Sequence, residues 1–449
     1  MILERQVVLD LASEGFGVLH PNQGPVVFVP FTIEGEVIDV QITKRKRQFW
    51  YGEAIAWHST SPARVSPLCL DFGRCGGCRW QMMSYFYQLS YKRRFVEESF
   101  RRIAHLPIQV PLPVPSPCIW RYRNKVEYAF GKGLDGTLAL GFHPRGDFAT
   151  ILPIQNCQIV PEIFEKVRMI VKNEAQRLGL MPYDPRHHKG LLRTLLLRGT
   201  PNQLVAILSL SEDRPEIVET LFAPLRGALK GYGYFYNPKR NESIHDLVPH
   251  TLYGTLTLEY EVAGRRYSVG PKDFFQVNLS QAGRLVEWIR ERIEGRIPLL
   301  YDLYGGVGFF GVALADKADY VCLVEKLPEA VVSAEQNFKQ NQSAFPQTKW
   351  RVETGSVEQI LERESIKLPS GSVAILDPPR EGIHPRLRRF LNKVGFDWLF
   401  YVSCHPATQA RDVADLLPVY EVVEVQPFDF FPHTTSIENV VVLKRRDSF

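Results

Sequence analysis

The chain has 449 residues, of which 45% are hydrophobic and 23% charged, so it can bury two or three cores and is not disordered. Its net charge of +5 is mildly basic, which suits a nucleic-acid partner without requiring one. The sequence contains no long apolar run, and its acidic, alternating amino end resembles neither a signal peptide nor a membrane anchor. We therefore expect a cytoplasmic protein that does not use a membrane.

Cysteine usage gives a first indication of chemistry. Seven cysteines, an odd number spread unevenly, argue against a disulfide framework in that compartment. They favour metal binding or catalysis instead.

The amino end, residues 1–62, predicts a small all-β module, because three segments alternate or run apolar over strand length between glycine turns. A basic run, 44–47, follows and lies beside the aromatic run 49–51. Cations next to exposed rings can bind single-stranded RNA through phosphate contacts and stacking. A solvated hairpin tip beside core aromatics explains the same residues equally well, and the sequence leaves both interpretations open.

A cysteine-rich loop, CLDFGRCGGC, places Cys69, Cys75 and Cys78 around two glycines. A fourth thiolate is needed to complete a ligand set, and Cys157 is the best candidate, with Cys118 as the runner-up. Four thiolates suit either a zinc ion or an iron–sulfur cluster. The spacing favours the cluster, because structural zinc usually takes two CxxC pairs, and zinc remains the weaker alternative.

The central part of the chain, 63–265, predicts a domain that is mostly β-structure. After the cysteine loop, SYFYQLSYKRRFVEESFRRIAHL predicts a basic helix, whose charges suit a solvated face or contacts with phosphate. From WRYRNKVEYAF onward the strands are separated by Gly, Pro and Asn.

From about residue 266 to 449, strands and helices alternate, which predicts an α/β domain with a parallel sheet. In LLYDLYGGVGFFGVALADKADYVCLVE, an apolar strand leads into a glycine turn and a helix, and the next strand ends at Glu325. A carboxylate there can take the ribose hydroxyls of a nucleoside cofactor. A plain strand-to-helix turn has the same pattern, so the glycines alone do not identify the ligand.

Four polar side chains fall at the carboxyl ends of predicted parallel strands: Asp302, Glu325, Asp377 and Cys404. In an open α/β sheet, ligands bind at that edge. Each residue alone has a structural explanation, since a lone cysteine in an apolar strand is usually part of the core. Four together at one edge indicate a site.

The residue types at this edge suit methylation of a ring carbon. An amine needs no thiol to be methylated, whereas C5 of uracil becomes nucleophilic only after a thiolate has added to C6. Cys404 has the position of that nucleophile. A base must then remove the C5 proton, and Glu438, at the start of the last apolar strand, has the position for it. Without Cys404, a solvent-facing loop glutamate would be the better interpretation of Glu438.

With these motifs in place, the chain closely resembles the S-adenosylmethionine-dependent RNA 5-methyluridine methyltransferases, in particular the bacterial 23S rRNA branch. The likeness covers essentially the whole chain: the amino module resembles the TRAM domain, and YRNKVE, FFQVN, DLYGGVG, DPPREG and VSCHPATQARD match family segments in order. The resemblance implies a Rossmann-like class I methyltransferase domain, an N-terminal OB-like β-barrel that binds RNA, and a β-rich central domain that carries the cysteine cluster.

The resemblance also assigns roles to residues. It implies that Cys404 is the nucleophile and Glu438 the general base. The ligands of a 4Fe-4S cluster would be Cys69, Cys75, Cys78 and Cys157. The pocket for S-adenosylmethionine and uracil would be lined by Gln276, Tyr304, Gly306, Glu325 and Asp377.

The implied partner is RNA, and 23S rRNA is expected first, because the TRAM-like module and the cysteine loop separate this branch from tRNA enzymes that are similar only in the catalytic half. Two alternatives stay open: a tRNA uridine C5 methyltransferase, and a non-enzymatic RNA-binding or assembly factor that carries a cluster. We expect a monomer.

The chain departs from the family pattern at four positions. Gly305 replaces a cysteine of the glycine turn, and Ser356 replaces an acid that often meets adenine. His405 replaces an asparagine after the nucleophile, where an imidazole can lower a thiol pKa or replace a hydrogen bond to the substrate. Ser436 replaces a histidine before the base. None of these changes removes a catalytic group, so we expect an active enzyme.

Overall fold

We analysed a computed structural model of the chain, which describes residues 1–133, 135–147, 150–363 and 368–446. Its strands form three large sheets and one two-stranded ribbon. No helix in these ranges has the length and apolar character needed to cross a membrane.

The amino-terminal sheet has six strands in the order β1-β5-β6-β4-β3-β2. They are β1 (Ile2–Val7), β2 (Asp10–Leu11), β3 (Phe16–Leu19), β4 (Val26–Pro30), β5 (Val37–Arg45) and β6 (Phe49–Ser59). Alternate residues of β4 and β5, such as Val27 and Val40, are fully buried in a small core of their own. The predicted all-β module is therefore confirmed.

The central part combines helices with a second six-stranded sheet in the order β12-β11-β10-β9-β7-β8. Its strands are β7 (Lys125–Lys132), β8 (Leu138–Gly141), β9 (Leu192–Thr200), β10 (Gln203–Leu210), β11 (Gly231–Tyr236) and β12 (Pro249–Gly254). The helices are α1 (Tyr85–Ile103), α2 (Glu162–Arg177) and α3 (Pro215–Phe222), followed by a 3₁₀ turn at Ala223–Leu225. The predicted helix after the cysteine loop is thus present as α1.

The carboxyl-terminal part is a seven-stranded sheet in the order β17-β16-β15-β18-β19-β21-β20, preceded by the ribbon β13 (Leu258–Val262) and β14 (Arg265–Val269). Its strands are β15 (Ile297–Leu303), β16 (Ala318–Glu325), β17 (Lys349–Thr354), β18 (Val373–Leu376), β19 (Trp398–Ser403), β20 (Tyr420–Phe428) and β21 (Glu438–Arg445). The helices are α4 (Leu279–Arg292), α5 (Phe309–Leu314), α6 (Pro328–Asn341), α7 (Val357–Arg363), α8 (Pro385–Lys393) and α9 (Pro406–Leu416), with 3₁₀ turns at Ala315–Lys317 and Gln342–Ala344.

This last sheet is doubly wound, with a core on each face. Strands β15 to β19 pair in parallel, whereas β21 runs antiparallel between β19 and β20. The carboxyl ends of the parallel strands therefore meet the amino end of β21 at one edge. The predicted α/β architecture is confirmed, while the domain limits at 62 and 265 stay predictions.

Candidate active site

The glycine turn after β15 is shaped by its backbone and by Glu325. Gly306 and Gly308 have φ angles of 54° and 86°, a region in which side chains are strained. The Glu325 carboxylate accepts hydrogen bonds from the N–H groups of Gly306 at 3.0 Å, Lys326 at 2.7 Å and Leu327 at 2.8 Å. The turn and the end of β16 are thus held together around one carboxylate.

A cavity of about 750 Å³ lies against this turn. Of the residues predicted to bind the cofactor, four line it: Tyr304, Gly306, Glu325 and Asp377. Gln276 is not among the lining residues. It lies buried in the chain just before α4, and its backbone carbonyl accepts a 2.9 Å hydrogen bond from the Asn124 side chain.

Asp302 lies beneath the turn and does not line the cavity. One carboxyl oxygen accepts a 2.7 Å hydrogen bond from the Gly311 N–H, and the side chain is fully buried. Burial raises the pKa of Asp302 to about 8, although the hydrogen bond from Gly311 acts to lower it. Asp302 therefore supports the fold of the turn rather than offering a charge to a ligand.

Two strands bring the predicted nucleophile and base together. Cys404 directly follows β19, Glu438 opens β21, and Ser403 pairs with Asn439 across these strands. Asp377 follows the neighbouring strand β18. Burial, and next the charge of Asp377, raises the pKa of Glu438 well above its usual range. The site thus places two carboxyl groups close to each other and beside a thiol.

Arg380 is a functional candidate that the sequence analysis did not single out. Burial raises the pKa of the Cys404 thiol to about 11, and the charge of Glu438 acts in the same direction. Arg380 lies close enough to the thiol to act in the opposite direction and lower its pKa. It also lowers the pKa of Glu438. The DPPR segment carried Arg380, but only the structure shows that its side chain faces Cys404.

His405, the residue after Cys404, caps the following helix. Its Nδ1 caps α9, lying 2.6 Å from the Thr408 hydroxyl and 3.2 Å from the Thr408 N–H. The cation that acts on the Cys404 pKa is Arg380. The structure thus gives His405 a capping contact with α9, and both suggested effects of His405 on the site stay predictions.

The other departures have local explanations. A side chain at Gly305 would place its Cβ 2.4 Å from Cγ of Leu323, so Leu323 occupies the space of the usual cysteine. Ser356 lines the cofactor cavity with a buried hydroxyl that has no hydrogen-bond partner among the described residues. Ser436 donates its N–H to the Thr434 hydroxyl at 3.2 Å.

The four predicted ligand cysteines line a second cavity of about 550 Å³, which Cys118 does not reach. Burial raises the pKa of all four thiols, to about 11 for Cys78 and about 12 for Cys157. Neighbouring thiols add to the effect at Cys75, Cys78 and Cys157, whereas Asp71 does so at Cys69. The donor set therefore fits a cation that is soft enough to bind thiolates. As the side chains stand, however, no group of three or more His, Cys, Asp or Glu within the described ranges is placed to hold a metal ion.

The aromatic side chains of the 49–51 run pack against other rings of the amino module, and do not lie beside the basic run alone. Phe49 and Tyr51 lie 5.6 Å from Phe28 and 5.7 Å from Phe16, respectively, measured between ring centroids. The guanidinium of Arg145 lies 4.5 Å from the Phe16 ring centroid. Burial, and next the charge of Arg79, lowers the pKa of Arg145 to about 10. Arg79 and Arg145 also line the cysteine cavity, so half-buried rings and cations form a continuous surface there.

Comparison with known proteins agrees with this arrangement. Residues 253–446 match the family model described as tRNA (Uracil-5-)-methyltransferase, and residues 7–55 match the TRAM domain. A protein of Bacteroides thetaiotaomicron, called an uncharacterized RNA methyltransferase, is 33% identical over 97% of this chain and 100% of its own. One of Porphyromonas gingivalis with the same description is 32% identical over 98% and 99%.

Among solved structures, the tRNA (uracil-54, C5)-methyltransferase of Pyrococcus abyssi in complex with S-adenosyl-L-homocysteine has a TM-score of 0.78 and 27% identity, covering 98% of this chain and 99% of its own. The chain belongs to the S-adenosylmethionine-dependent RNA uracil-5-methyltransferase family and carries a TRAM domain. It is an RNA uracil-5-methyltransferase, so the non-enzymatic alternative is set aside.

One inference about the substrate is weakened by the same comparison. The amino module and the cysteine loop were expected to separate the rRNA branch from tRNA enzymes. Since the tRNA enzyme of Pyrococcus abyssi aligns with 98% of this chain, the length and domain content of the chain do not make that distinction.

Proposed function

We propose that this enzyme methylates C5 of a uridine in 23S rRNA through a covalent adduct between Cys404 and C6 of uracil. The observation that supports the chemistry is the meeting of Cys404, Glu438, Asp377 and Arg380 at one sheet edge beside the cavity of the glycine turn. The choice of rRNA rests on the resemblance of the whole sequence, including the TRAM-like module and the cysteine loop, to the 23S rRNA branch.

The first step requires the thiolate of Cys404. Its raised pKa makes that thiolate scarce but strongly nucleophilic, and Arg380 stabilises it as it forms. The target uridine has to leave its stack to reach the half-buried thiol. When the sulfur bonds to C6, the C5–C6 double bond gives up its electron pair to an enolate over C5 and O4.

S-adenosylmethionine, when bound, supplies the methyl group that this carbon accepts, and Tyr304, Gly306, Glu325 and Asp377 would hold it. The remaining step belongs to Glu438, which takes the C5 proton. The electrons of the broken C–H bond restore the C5–C6 double bond, and the sulfur leaves C6 as a thiolate. The buried position of Glu438 beside Asp377 makes its carboxylate a strong base once it is ionised.

RNA would be held by the TRAM module and by the surface around the cysteine cavity. Arg79 and Arg145 have no carboxylate partner among the ion pairs of the described residues, so they can meet phosphates. The rings of Phe16 and Phe28 are half-buried and can stack with unpaired bases.

The cysteine cavity is proposed to hold a 4Fe-4S cluster on Cys69, Cys75, Cys78 and Cys157, with zinc as the alternative. A cluster or ion there would have a structural role, since the methylation needs no electron transfer. Anaerobically purified protein is expected to be brown, with absorbance near ~400 nm and iron and sulfide in equal amounts. A colourless preparation with zinc alone would contradict the cluster.

A tRNA substrate is the second candidate, because the similar enzyme of Pyrococcus abyssi acts on tRNA. The two are separated by supplying purified enzyme with labelled S-adenosylmethionine and either a 23S rRNA transcript or a tRNA mixture. We expect labelled 5-methyluridine in the rRNA only, at a uridine that lacks the methyl group in a deletion strain. Label confined to tRNA would overturn the rRNA assignment but not the chemistry.

A further inference from the structure

The loop that joins β20 to β21 determines where Glu438 lies. Phe428 and Glu438 pair with each other at the two ends of this 429–437 loop. Glu438 is only 7% exposed, so the surrounding protein restricts the movement of its side chain. The conformation of the loop therefore fixes the direction in which the base points.

The first half of the loop is anchored to the central part of the chain. Asp429 accepts hydrogen bonds from Lys92 Nζ at 2.6 Å and from the Tyr85 hydroxyl at 2.8 Å, and Lys92 is fully buried. Lys92 also donates to the Phe431 carbonyl at 3.0 Å, and Tyr122 donates its hydroxyl to the Pro432 carbonyl at 3.3 Å. These partners lie on α1 and on the segment before β7.

His433 is a further anchor of this loop. Its φ angle of 68° is in the left-handed region, which a residue with a Cβ seldom adopts. Its N–H donates to the Gln88 side chain at 2.8 Å, and its ring stacks on Trp120 with centroids 3.7 Å apart. His433 is only 4% exposed, so contact with solvent does not account for a polar side chain at this position.

The same residue joins the cysteine loop to the base. The N–H groups of Arg79 and Trp80, which directly follow Cys78, both donate to the His433 carbonyl, at 2.9 and 3.0 Å. The next residue, Thr434, lines the cysteine cavity. The path from Cys78 to Glu438 therefore runs through one backbone carbonyl and five residues of chain.

We propose that His433 is a positioning residue for Glu438, and that the cysteine loop acts on the reaction through it, by setting the base for the proton-abstraction step. This proposal rests on the proposed function of Cys404 and Glu438. It gives the cysteine loop a purpose in catalysis that needs no redox chemistry. Displacement of a catalytic group by about 1 Å can cost about 10²-fold in rate.

The two halves of the reaction respond differently if this is correct. Adduct formation depends on Cys404 and Arg380, whereas release depends on Glu438. His433→Ala is therefore expected to leave the rate of adduct formation within about threefold of the wild type and to slow release about 10²-fold. The covalent complex would then accumulate on ordinary uridine RNA, as expected for Glu438→Gln.

The experiment uses full-length protein and a 23S rRNA transcript labelled with [5-³H]uridine, with tRNA in a parallel reaction. Denaturing gels measure the adduct, and tritium release measures loss of the C5 proton. His188→Ala is the matched control, because His188 is another histidine with a left-handed φ of 51° but lies on an exposed loop of the central part. If His433→Ala does not fold, His433→Asn takes its place, because asparagine tolerates the left-handed backbone region.

Accumulation of adduct with slow tritium release in the His433 variant, and neither in the His188 variant, supports the proposal. Equal loss of adduct formation and release, or wild-type kinetics, overturns it. Absence of tritium release with wild-type enzyme on either RNA is a different result, since it would reject the proposed function and not the role of His433.

Discussion

The two proposed catalytic residues, Cys404 and Glu438, lie in environments that disfavour their ionised, reactive forms. Burial favours the neutral thiol of Cys404 and the neutral acid of Glu438. The charge of Glu438 further opposes ionisation of the thiol, and the charge of Asp377 opposes ionisation of Glu438. Arg380 is the charge that offsets these effects for both groups. Such a site would react through a sparsely populated thiolate and carboxylate, which are more nucleophilic and more basic than the same groups exposed to solvent.

This arrangement makes a prediction for pH. Because only the thiolate adds to C6, adduct formation is expected to rise with pH from 7 towards the raised thiol pKa of about 11. Arg380→Leu removes the charge that lowers this pKa, so the profile moves to higher pH and the rate at pH 7 falls, about tenfold for each unit of displacement. Quenched-flow measurement of the adduct at several pH values tests this.

Arg389→Leu is the control for Arg380→Leu, since Arg389 is an exposed arginine on α8. An unchanged pH profile in Arg380→Leu would show that Arg380 does not act on the thiol.

The strand ends explain which site residues the sequence could reveal. Apolar runs predicted the parallel strands, and Glu325, Asp377 and Cys404 follow from the rule that ligands bind where such strands end. Arg380 was not predictable, because a residue two positions beyond Pro378 can point in several directions. Gln276 was expected in the cofactor cavity from its motif alone, and the structure does not place it in the lining.

The glycine turn gives a prediction at the level of one element. Gly305→Cys, which restores the usual residue, would meet Leu323 at 2.4 Å and is expected to destabilise the protein by about 1–3 kcal/mol through overpacking. Adding Leu323→Val should recover part of that loss, because valine lacks the two δ carbons that would lie 2.7 and 3.0 Å from the new Cβ. Urea unfolding of the two variants and the wild type measures both effects. A Gly305→Cys variant as stable as the wild type would contradict the packing seen here.

Across the whole molecule, contacts between distant parts of the chain complete the site. The fold class followed from strand and helix patterns, but the 429–437 loop is held by Gln88 and Lys92, more than 330 residues earlier in the chain. No periodicity encodes such a pairing. The cysteine loop was recognisable by composition, whereas its connection to Glu438 depends on backbone hydrogen bonds that the sequence does not reveal.

The buried Lys92–Asp429 ion pair tests this connection between parts. Lys92→Met leaves Asp429 buried without its cation, and loss of one partner of a buried pair is expected to cost about 3–5 kcal/mol. The double variant Lys92→Met, Asp429→Asn should be more stable than Lys92→Met alone, since the unpaired charge is gone. Equilibrium urea unfolding compares them, with the exposed pair variant Lys339→Met as control. Equal stability of Lys92→Met and wild type would contradict the role of the pair.

The covalent role of Cys404 is tested most directly with RNA transcripts in which 5-fluorouridine replaces uridine, because a base cannot remove fluorine from C5. After incubation with S-adenosylmethionine, the RNA-linked peptide is identified by mass spectrometry. We expect a stable adduct on the peptide that contains Cys404, its persistence in Cys118→Ala, whose cysteine is exposed and outside both cavities, and its loss in Cys404→Ala. An adduct that survives Cys404→Ala would contradict the proposed mechanism.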